Sequence, residues 1–221
     1  IYQLNKRQNN FLLSVTHEFK TPIAAIRLML QTSKNPKVKE EKKAELIENS
    51  IQNTFRLEEL AENMLVSMQI ENDKYQYALS KIDLSEMLNQ VIDNQSIKGE
   101  IAGTIEPGVT LTGDGFIMRM VANNLIENAF KYSDNKPIEV NLYMQGTKKV
   151  LEVKDIGVGI AKEDYKKIYK KFFRVQDEET RTTKGTGLGL FIVKQAVERH
   201  RGKVAVMANK PRGSVFIVEL P

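Results

Sequence analysis

The chain has 221 residues, with 33 Lys and Arg against 28 Asp and Glu, 41% apolar residues, 13 Gly, and neither Cys nor Trp. That length suits one or two domains with a real core, and the composition excludes collagen-like, low-complexity, wholly disordered and disulfide-framed proteins, thiol nucleophiles, and thiolate- or histidine-rich metal sites. A net charge of +5 permits nucleic acid, but acidic residues are interspersed along the whole chain, so no nucleic-acid partner is expected and a phosphorylated small ligand suits the charge as well.

The N-terminus IYQLNKRQNN lacks the apolar centre of a signal peptide, and no stretch approaches the roughly 18 apolar residues of a membrane span, so the chain reads as soluble. Residues 1–72 contain no Gly and only two Pro, whereas every Gly lies from Gly99 onward. This break predicts a helical unit followed by a mixed one. In the first, Leu12, Val15, Phe19, Pro22, Ile26 and Met29 recur in alternating steps of three and four, a bundle seam. After a turn at Asn35-Pro36, a second seam runs through Ala44, Ile47, Ile51, Thr54, Glu58, Ala61, Leu65 and Met68. Both helices carry further apolar residues off these seams, including Phe11, Leu13, Ile23 and Leu30 on the first and Leu46, Phe55 and Leu57 on the second. Two helices are too few to cover such stripes, so the hairpin is expected to dimerise into a four-helix bundle.

The polar segment from Glu71 to Tyr77 reads as a hinge, with domain boundaries placed at 1–72, 73–80 and 81–221. Beyond it, DLSEMLNQVIDNQS predicts a helix capped by Asp83 or Ser85, and GFIMRMVANNLIENAFKYS a longer one, its first turn left uncertain by Gly115 and Phe116. PIEVNLYMQ, KKVLEVKDI, GKVAVMAN and SVFIVELP have the alternating, β-branched pattern of strands, and a last helix follows the Gly-rich run through LFIVKQAVERH. The fold class is therefore α+β: a helical hairpin, then an α/β sandwich with helices over one face of a mixed sheet.

Four constellations carry chemistry. In SVTHEFKTP, His17 falls at heptad position f, facing solvent, beside Glu18, whose carboxylate can orient one imidazole nitrogen and leave the other nucleophilic; a passive surface histidine fits the position too. Thr21 at the place of a second His removes the HExxH zinc-protease reading, and Pro22 is expected to kink the helix. In ANNLIENAFKYS, Asn124, Asn128 and Lys131 share a helix face, where amide oxygens suit Mg²⁺ and an ammonium suits phosphate, although a solvated face has the same pattern. In KDIGVGI, Asp155 ends an apolar strand before Gly157 and Gly159, a pattern that a simple strand-ending turn also produces. In KGTGLGLFIVKQAV, Gly185, Gly187, Leu188 and Gly189 lead into a helix, where backbone amides and the helix dipole favour phosphate; a flexible hinge reads the same way.

Taken together and in this order, HEFKTP, NLIENAFKY, DIGVGI and GTGLGL resemble the H-box, N-box and two glycine boxes of sensor histidine kinases over essentially the whole chain. The resemblance implies that His17 attacks the γ-phosphate of ATP and passes the phosphoryl group to an aspartate of a response regulator receiver domain. It implies that Glu18 serves as acid or base and that Thr21 positions water for dephosphorylating the partner. Asn124, Asn128, Lys131, Tyr132, Asp155, Gly157, Gly159, Arg174, Gly185, Gly187, Leu188 and Gly189 then belong to the nucleotide site, with Asn128 as the Mg²⁺ ligand and Asp155 reading the adenine amine. Between the glycine boxes, IYKKFFRV stands for the family's aromatic box, with Tyr169 and Phe172 at the aromatic positions and Arg174 on phosphate, followed by a lid to Lys184. The eight Lys and Arg between Lys162 and Lys184 suit ATP attraction or a solvated face. The same resemblance implies a homodimer and a longer parent anchored in the inner membrane, of which this would be a cytoplasmic fragment. Two other classes stay in view: a clamp ATPase of the wider superfamily, which lacks the H-box hairpin, and a degenerate scaffold that binds partners without catalysis. His200, near the end of the last helix, reads as a structural residue whose partial positive charge complements the helix dipole.

Overall fold

A computed structural model describes residues 2–71, 74–133, 136–175 and 186–221. Two long helices, α1 (Tyr2–Ser33) and α2 (Glu40–Glu71), form an antiparallel hairpin. The turn is made as the dipeptide predicts, with the Asn35 side chain accepting from the Lys37 amide at 3.0 Å and the Asn35 carbonyl from the Val38 amide at 3.1 Å. Helix α1 is continuous through Pro22, which is buried. Only one amide is lost there, and the Thr21 hydroxyl donates to the His17 carbonyl at 3.0 Å as an added tie across that turn.

The second seam is corrected by the structure. Ile47, Ile51, Leu65 and Met68, expected inside the hairpin, are 41–59% exposed, while the covered row of α2 is Leu46, Ser50, Asn53, Leu57, Met64 and Ser67. The apolar stripe of α2 is wide enough to offer two rows about one residue apart, and α1 takes one of them. The outward row, with Phe55 on α2 and Leu12, Leu13, Ile23, Leu28 and Leu30 on α1 also exposed, is the kind of continuous apolar surface that marks an interface.

The remaining chain builds a mixed sheet with helices packed on it. Strands β1 (Leu79–Asp83) and β3 (Thr110–Asp114) pair antiparallel as a small ribbon. The larger sheet has the order β2 (Ile101–Ala102), β4 (Ile138–Gln145), β5 (Lys148–Lys154), β7 (Ser214–Leu220), β6 (Lys203–Ala208), with only the β2–β4 pair parallel. Helices α3 (Leu84–Gln95), α4 (Gly115–Tyr132) and α5 (Gly189–Arg199) supply the covering layer, and Ile117, Leu125, Ile126 and Ile192 are fully buried against Val140, Leu142 and Val153 of the sheet. The four predicted strands are present at their predicted places. The β1–β3 ribbon was missed because LSKID and TLTGD are short and polar and hold together by pairing with each other.

Helix caps settle two sequence ambiguities. Asp83, not Ser85, caps α3, accepting from the Glu86 amide at 2.9 Å; Ser85 is buried and bridges the Glu106 carbonyl and the Val109 amide. Asp114 caps α4, accepting from the Ile117 amide at 3.1 Å, so Gly115 and Phe116 form a regular first turn.

Asp114 also ties the two units together. Its Oδ2 accepts from the Ala78 amide at 2.8 Å and from the Tyr75 hydroxyl at 3.3 Å, and its own amide donates to His200 Nε2 at 3.0 Å. Because an amide can only donate, His200 Nε2 is the unprotonated nitrogen, and Nδ1 donates to the Ala196 carbonyl at 2.7 Å. His200 is therefore structural, as expected, but neutral and buried rather than a charge at the helix end. Tyr77 stacks edge-on against both Tyr75 and His200, and burial, then the Asp114 charge, push the Tyr75 phenol up to about 12. The segment expected to be a loose hinge is thus docked between residues 74 and 78, and its last two residues, 79 and 80, belong to β1; positions 72 and 73 lie outside the described residues. The end of α2 packs on the same core through Val66 and Ile70, and Glu71 pairs with Lys171. Among the described residues no helix is long and apolar enough to cross a membrane.

Asp83 serves one amide at an exposed cap, whereas Asp114 serves a buried cap and the docked segment. Asp83→Ala should cost about 1 kcal/mol in denaturant unfolding. Asp114→Ala, which strands the buried Ile117 amide and also releases the Ala78 amide and the Tyr75 hydroxyl, should cost about 2–4 kcal/mol.

Candidate functional site

Most of the residues singled out in the second unit come together around one face of α4. Asn124, Asn128 and Tyr132 follow at intervals of four on that helix, with Lys131 beside them, so they line one side. At one end, Asn124 packs on the start of α5: its amide donates to the Met120 carbonyl at 2.9 Å, and a Cβ placed on Gly189 would lie 2.2 Å from its Oδ1. At the other end, the Tyr132 carbonyl meets the loop after β5, where a Cβ on Gly157 would lie 1.7 Å away. Gly157 is required because helix and loop backbones touch there, whereas Gly189 makes room for the Asn124 side chain. Asn128 is half-buried between the two loops, and the Lys131 ammonium lies 5.1 Å from the Tyr132 ring centroid.

Asp155 is the buried charge of the site, 3% exposed. Its Oδ1 accepts from the Gly157 amide at 2.8 Å and the Ser214 amide at 3.2 Å, and the Ser214 side chain is a further hydrogen-bond partner of the carboxylate. Burial pushes the carboxyl above the usual aspartate range, and the two amides and the Ser214 side chain pull it partly back. A carboxylate has about four acceptor sites, so beyond these donors this buried one can accept from a ligand, the chemistry that an exocyclic amine supplies.

The second glycine box closes the far side. Gly187 has a positive φ of 73° and its carbonyl accepts from the Phe172 amide at 3.0 Å, which ties the aromatic box to the glycine loop. Leu188 is buried in the core, so its side chain anchors the loop and only its backbone borders the site. Tyr169 packs against the core with its hydroxyl buried, which pushes that phenol well above its usual value. Arg174 is half-buried at the end of this segment; Gly185 and the lid expected up to Lys184 lie, from 176 onward, outside the described residues. Among the described residues no cluster of acidic and histidine side chains could hold a metal alone. Asn128 offers an amide oxygen, a hard donor of the type that Mg²⁺ takes when phosphates and water complete its shell.

The first unit presents His17 exposed on α1, one residue from a nearly buried Glu18 whose carboxylate lies 3.7 Å from the Arg56 guanidinium of α2. Thr21 is half-exposed one turn further on. His17, Glu18 and Thr21 thus sit together on the hairpin, and it is the end of α2, not α1, that packs against the second unit. Arg56, Ser214 and Asn209, which brace Glu18 and Asp155, carry no sequence signal, because their partners are 38, 59 and 54 positions away.

Comparison with known proteins separates the alternatives. Residues 7–73 match the His Kinase A phospho-acceptor domain, and residues 113–221 match the histidine kinase-, DNA gyrase B- and HSP90-like ATPase family. The chain is 31% identical to the sensor protein RprX of Bacteroides fragilis over 99% of its own length and 44% of that protein. It is 30% identical to the sensor histidine kinase YclK of Bacillus subtilis over its full length and 48% of that protein. It therefore spans about half the length of these curated relatives. Among solved structures it resembles the mycobacterial sensor histidine kinase MprB, with a TM-score of 0.57 and 27% identity over 65% of this chain and 97% of that one. Full-length ShkA in complex with AMPPNP shares the fold over 95% of this chain and 45% of that one, with a TM-score of 0.66 at 24% identity. An ATPase domain alone would fit a clamp ATPase as well, but a phospho-acceptor hairpin joined to that domain is the pairing of a two-component sensor kinase, and the chain belongs to the sensor histidine kinase family as its catalytic core.

Proposed function

We propose that this chain binds ATP with Mg²⁺, phosphorylates His17, and donates the phosphoryl group to an aspartate of a response regulator receiver domain. The observation that carries the reading is Asp155, a buried carboxylate held by backbone amides beside Gly157 and Gly213, in the same chain as a histidine exposed beside a carboxylate. Residues 1–72 dimerise and carry the phosphoacceptor, 73–80 link, and 81–221 bind the nucleotide. The exposed apolar row of the hairpin supports a homodimer, and a membrane-anchored parent is proposed from the relatives alone.

In this scheme the adenine amine donates to Asp155 Oδ2, Tyr132 and the Gly157–Gly159 loop border the base, and Lys131, Arg174 and the amides of the 185–189 loop offset the phosphate charge. Mg²⁺ held by Asn128 together with the phosphates would supply further neutralisation. One imidazole nitrogen of His17 attacks the γ-phosphorus; the N–P bond forms, the bond from phosphorus to the bridging oxygen breaks, and ADP leaves with that electron pair. Glu18 takes the proton from the other ring nitrogen, with Arg56 fixing the carboxylate. The receiver carboxylate then attacks the phosphorus, the N–P bond breaks with its electron pair going to the ring nitrogen, and Glu18 returns its proton so that neutral imidazole is released. Because His17 and Asp155 lie on different units, transfer requires the docked segment 74–78 to release or a second copy to present its histidine. Thr21, with its proton committed to the His17 carbonyl, keeps lone pairs for a water that dephosphorylates the regulator.

Incubation with γ-labelled ATP and Mg²⁺ should give an acid-labile, alkali-stable label on the native chain and none on His17→Gln; a label that survives in the mutant sinks the assignment. Thr21→Ala should keep autophosphorylation and lower regulator dephosphorylation about tenfold, the worth of one hydrogen bond. Asp155→Asn should weaken ATP about 10- to 100-fold, since a charge-assisted bond is lost and a donor now faces a donor. The same change should raise the thermal midpoint of the nucleotide-free protein. The raised carboxyl is stabilising in its neutral form and costs stability as pH rises, so the gain should grow above about pH 4, the ordinary aspartate range, and vanish below it.

A further inference from the structure

Asp155 closes β5, one residue past the last ladder pair of β5 with β7, Lys154 with Val215. Its carbonyl therefore lies at the frayed end of the sheet, and the partner it finds is a side chain: Asn209 Nδ2 donates to it at 2.9 Å. Asn209 opens the turn between β6 and β7, is half-buried, and uses its other polar atoms in the turn itself. Its Oδ1 accepts from the Lys210 amide at 2.8 Å, and its amide donates to the Gly213 carbonyl at 3.0 Å. The far side of the turn grips the same residue: Ser214 donates to the Asp155 carboxylate and accepts from the Asp155 amide at 2.9 Å. Gly213 fills the space between, where a Cβ would lie 2.0 Å from the Asp155 carbonyl oxygen.

Every backbone polar group of Asp155, and one carboxylate oxygen, is thus held by the β6–β7 hairpin or by Gly157. Ser214 reaches it chiefly through backbone groups just past the strand ladder, which most side chains at that position would keep. Asn209 reaches it through a planar amide bonded to both the turn and β5, so its loss unlinks the turn from the carboxylate's main chain without removing a ladder bond. Hydrogen-bond recognition is steep in direction as well as distance, so a small rotation of Asp155 spoils the alignment of Oδ2 with its ligand.

We propose that Asn209 is a positioning residue for base recognition: by clamping the Asp155 main chain to the β6–β7 turn it sets the direction of Oδ2 and thereby the preference for a purine carrying a 6-amino group. This rests on the reading of Asp155 given above. The test compares dissociation constants of ATP and of purine riboside triphosphate, identical but for the missing amine, on the 221-residue chain. Wild type should prefer ATP; Asn209→Ala should reduce that preference about tenfold, the worth of one hydrogen bond, with the amine-free analogue binding as before. Asn209→Asp keeps the turn's acceptor but has no donor for the Asp155 carbonyl, so it should show the same loss and serves if the alanine variant folds poorly. An equal weakening of both nucleotides, or an unchanged preference in the Asn209 variants while Asp155→Asn abolishes it, overturns the inference and leaves Asn209 a turn residue. An unchanged preference in Asp155→Asn overturns the reading of Asp155, and the inference with it.

Discussion

Burying a carboxylate at the end of β5 is the constraint around which the nucleotide unit is arranged. A charge withdrawn from water must be met by donors, and here the donors are backbone amides from Gly157 and Ser214. Two backbones must then approach the same side chain, one from the loop after β5 and one from the β6–β7 turn. That requirement accounts for Gly157 against the Tyr132 carbonyl and Gly213 against Asp155 itself. It also positions α4, whose last turn ends on that loop and whose Asn124 meets the start of α5. The site is polar and glycine-lined because its walls are main chain, which suits a ligand recognised by amides and a single carboxylate.

A second polar knot joins the two units. Asp114 caps α4 while holding the segment that follows α2, and His200 receives the Asp114 amide from the end of α5. The nucleotide unit thus holds the segment that follows α2 by a set of partly buried hydrogen bonds, and the Glu71–Lys171 pair adds a link from α2 to the aromatic box. Movement of one unit against the other must open bonds that have geometry and cost, so the linker sets a discrete docked state in place of a free swivel.

The hairpin solves a different problem. α2 carries more apolar surface than α1 can cover, and its two candidate seams are interchangeable by sequence. The chain spends one seam on the intramolecular contact and leaves the other exposed, while the lower end of α2 is used a third time against the core of the nucleotide unit. His17 faces away from these contacts, and Glu18, one residue on, faces into them; a helix turns about 100° per residue, so adjacent residues can serve a reaction from opposite sides of a wall.

What the amino-acid order determined by itself was local. The break in glycine usage, the heptad spacing, the four strand segments and the four boxes are short-range patterns, each fixed by period, turn chemistry or residue type within about twenty positions, and they were enough to place His17, Asn128, Asp155 and the glycine loops on their elements. Only the tertiary structure decided which row of α2 is covered, that the polar linker is docked, that His200 is neutral, and that Asn209 reaches Asp155. Each of these depends on a partner far along the chain, 86 positions for Asp114 and His200 and 54 for Asn209 and Asp155. Such partners are selected when strands pair and helices pack, because a buried donor or acceptor bonds to whatever group the fold carries to within 3 Å of it, and nothing in the local pattern of either residue records which group that will be.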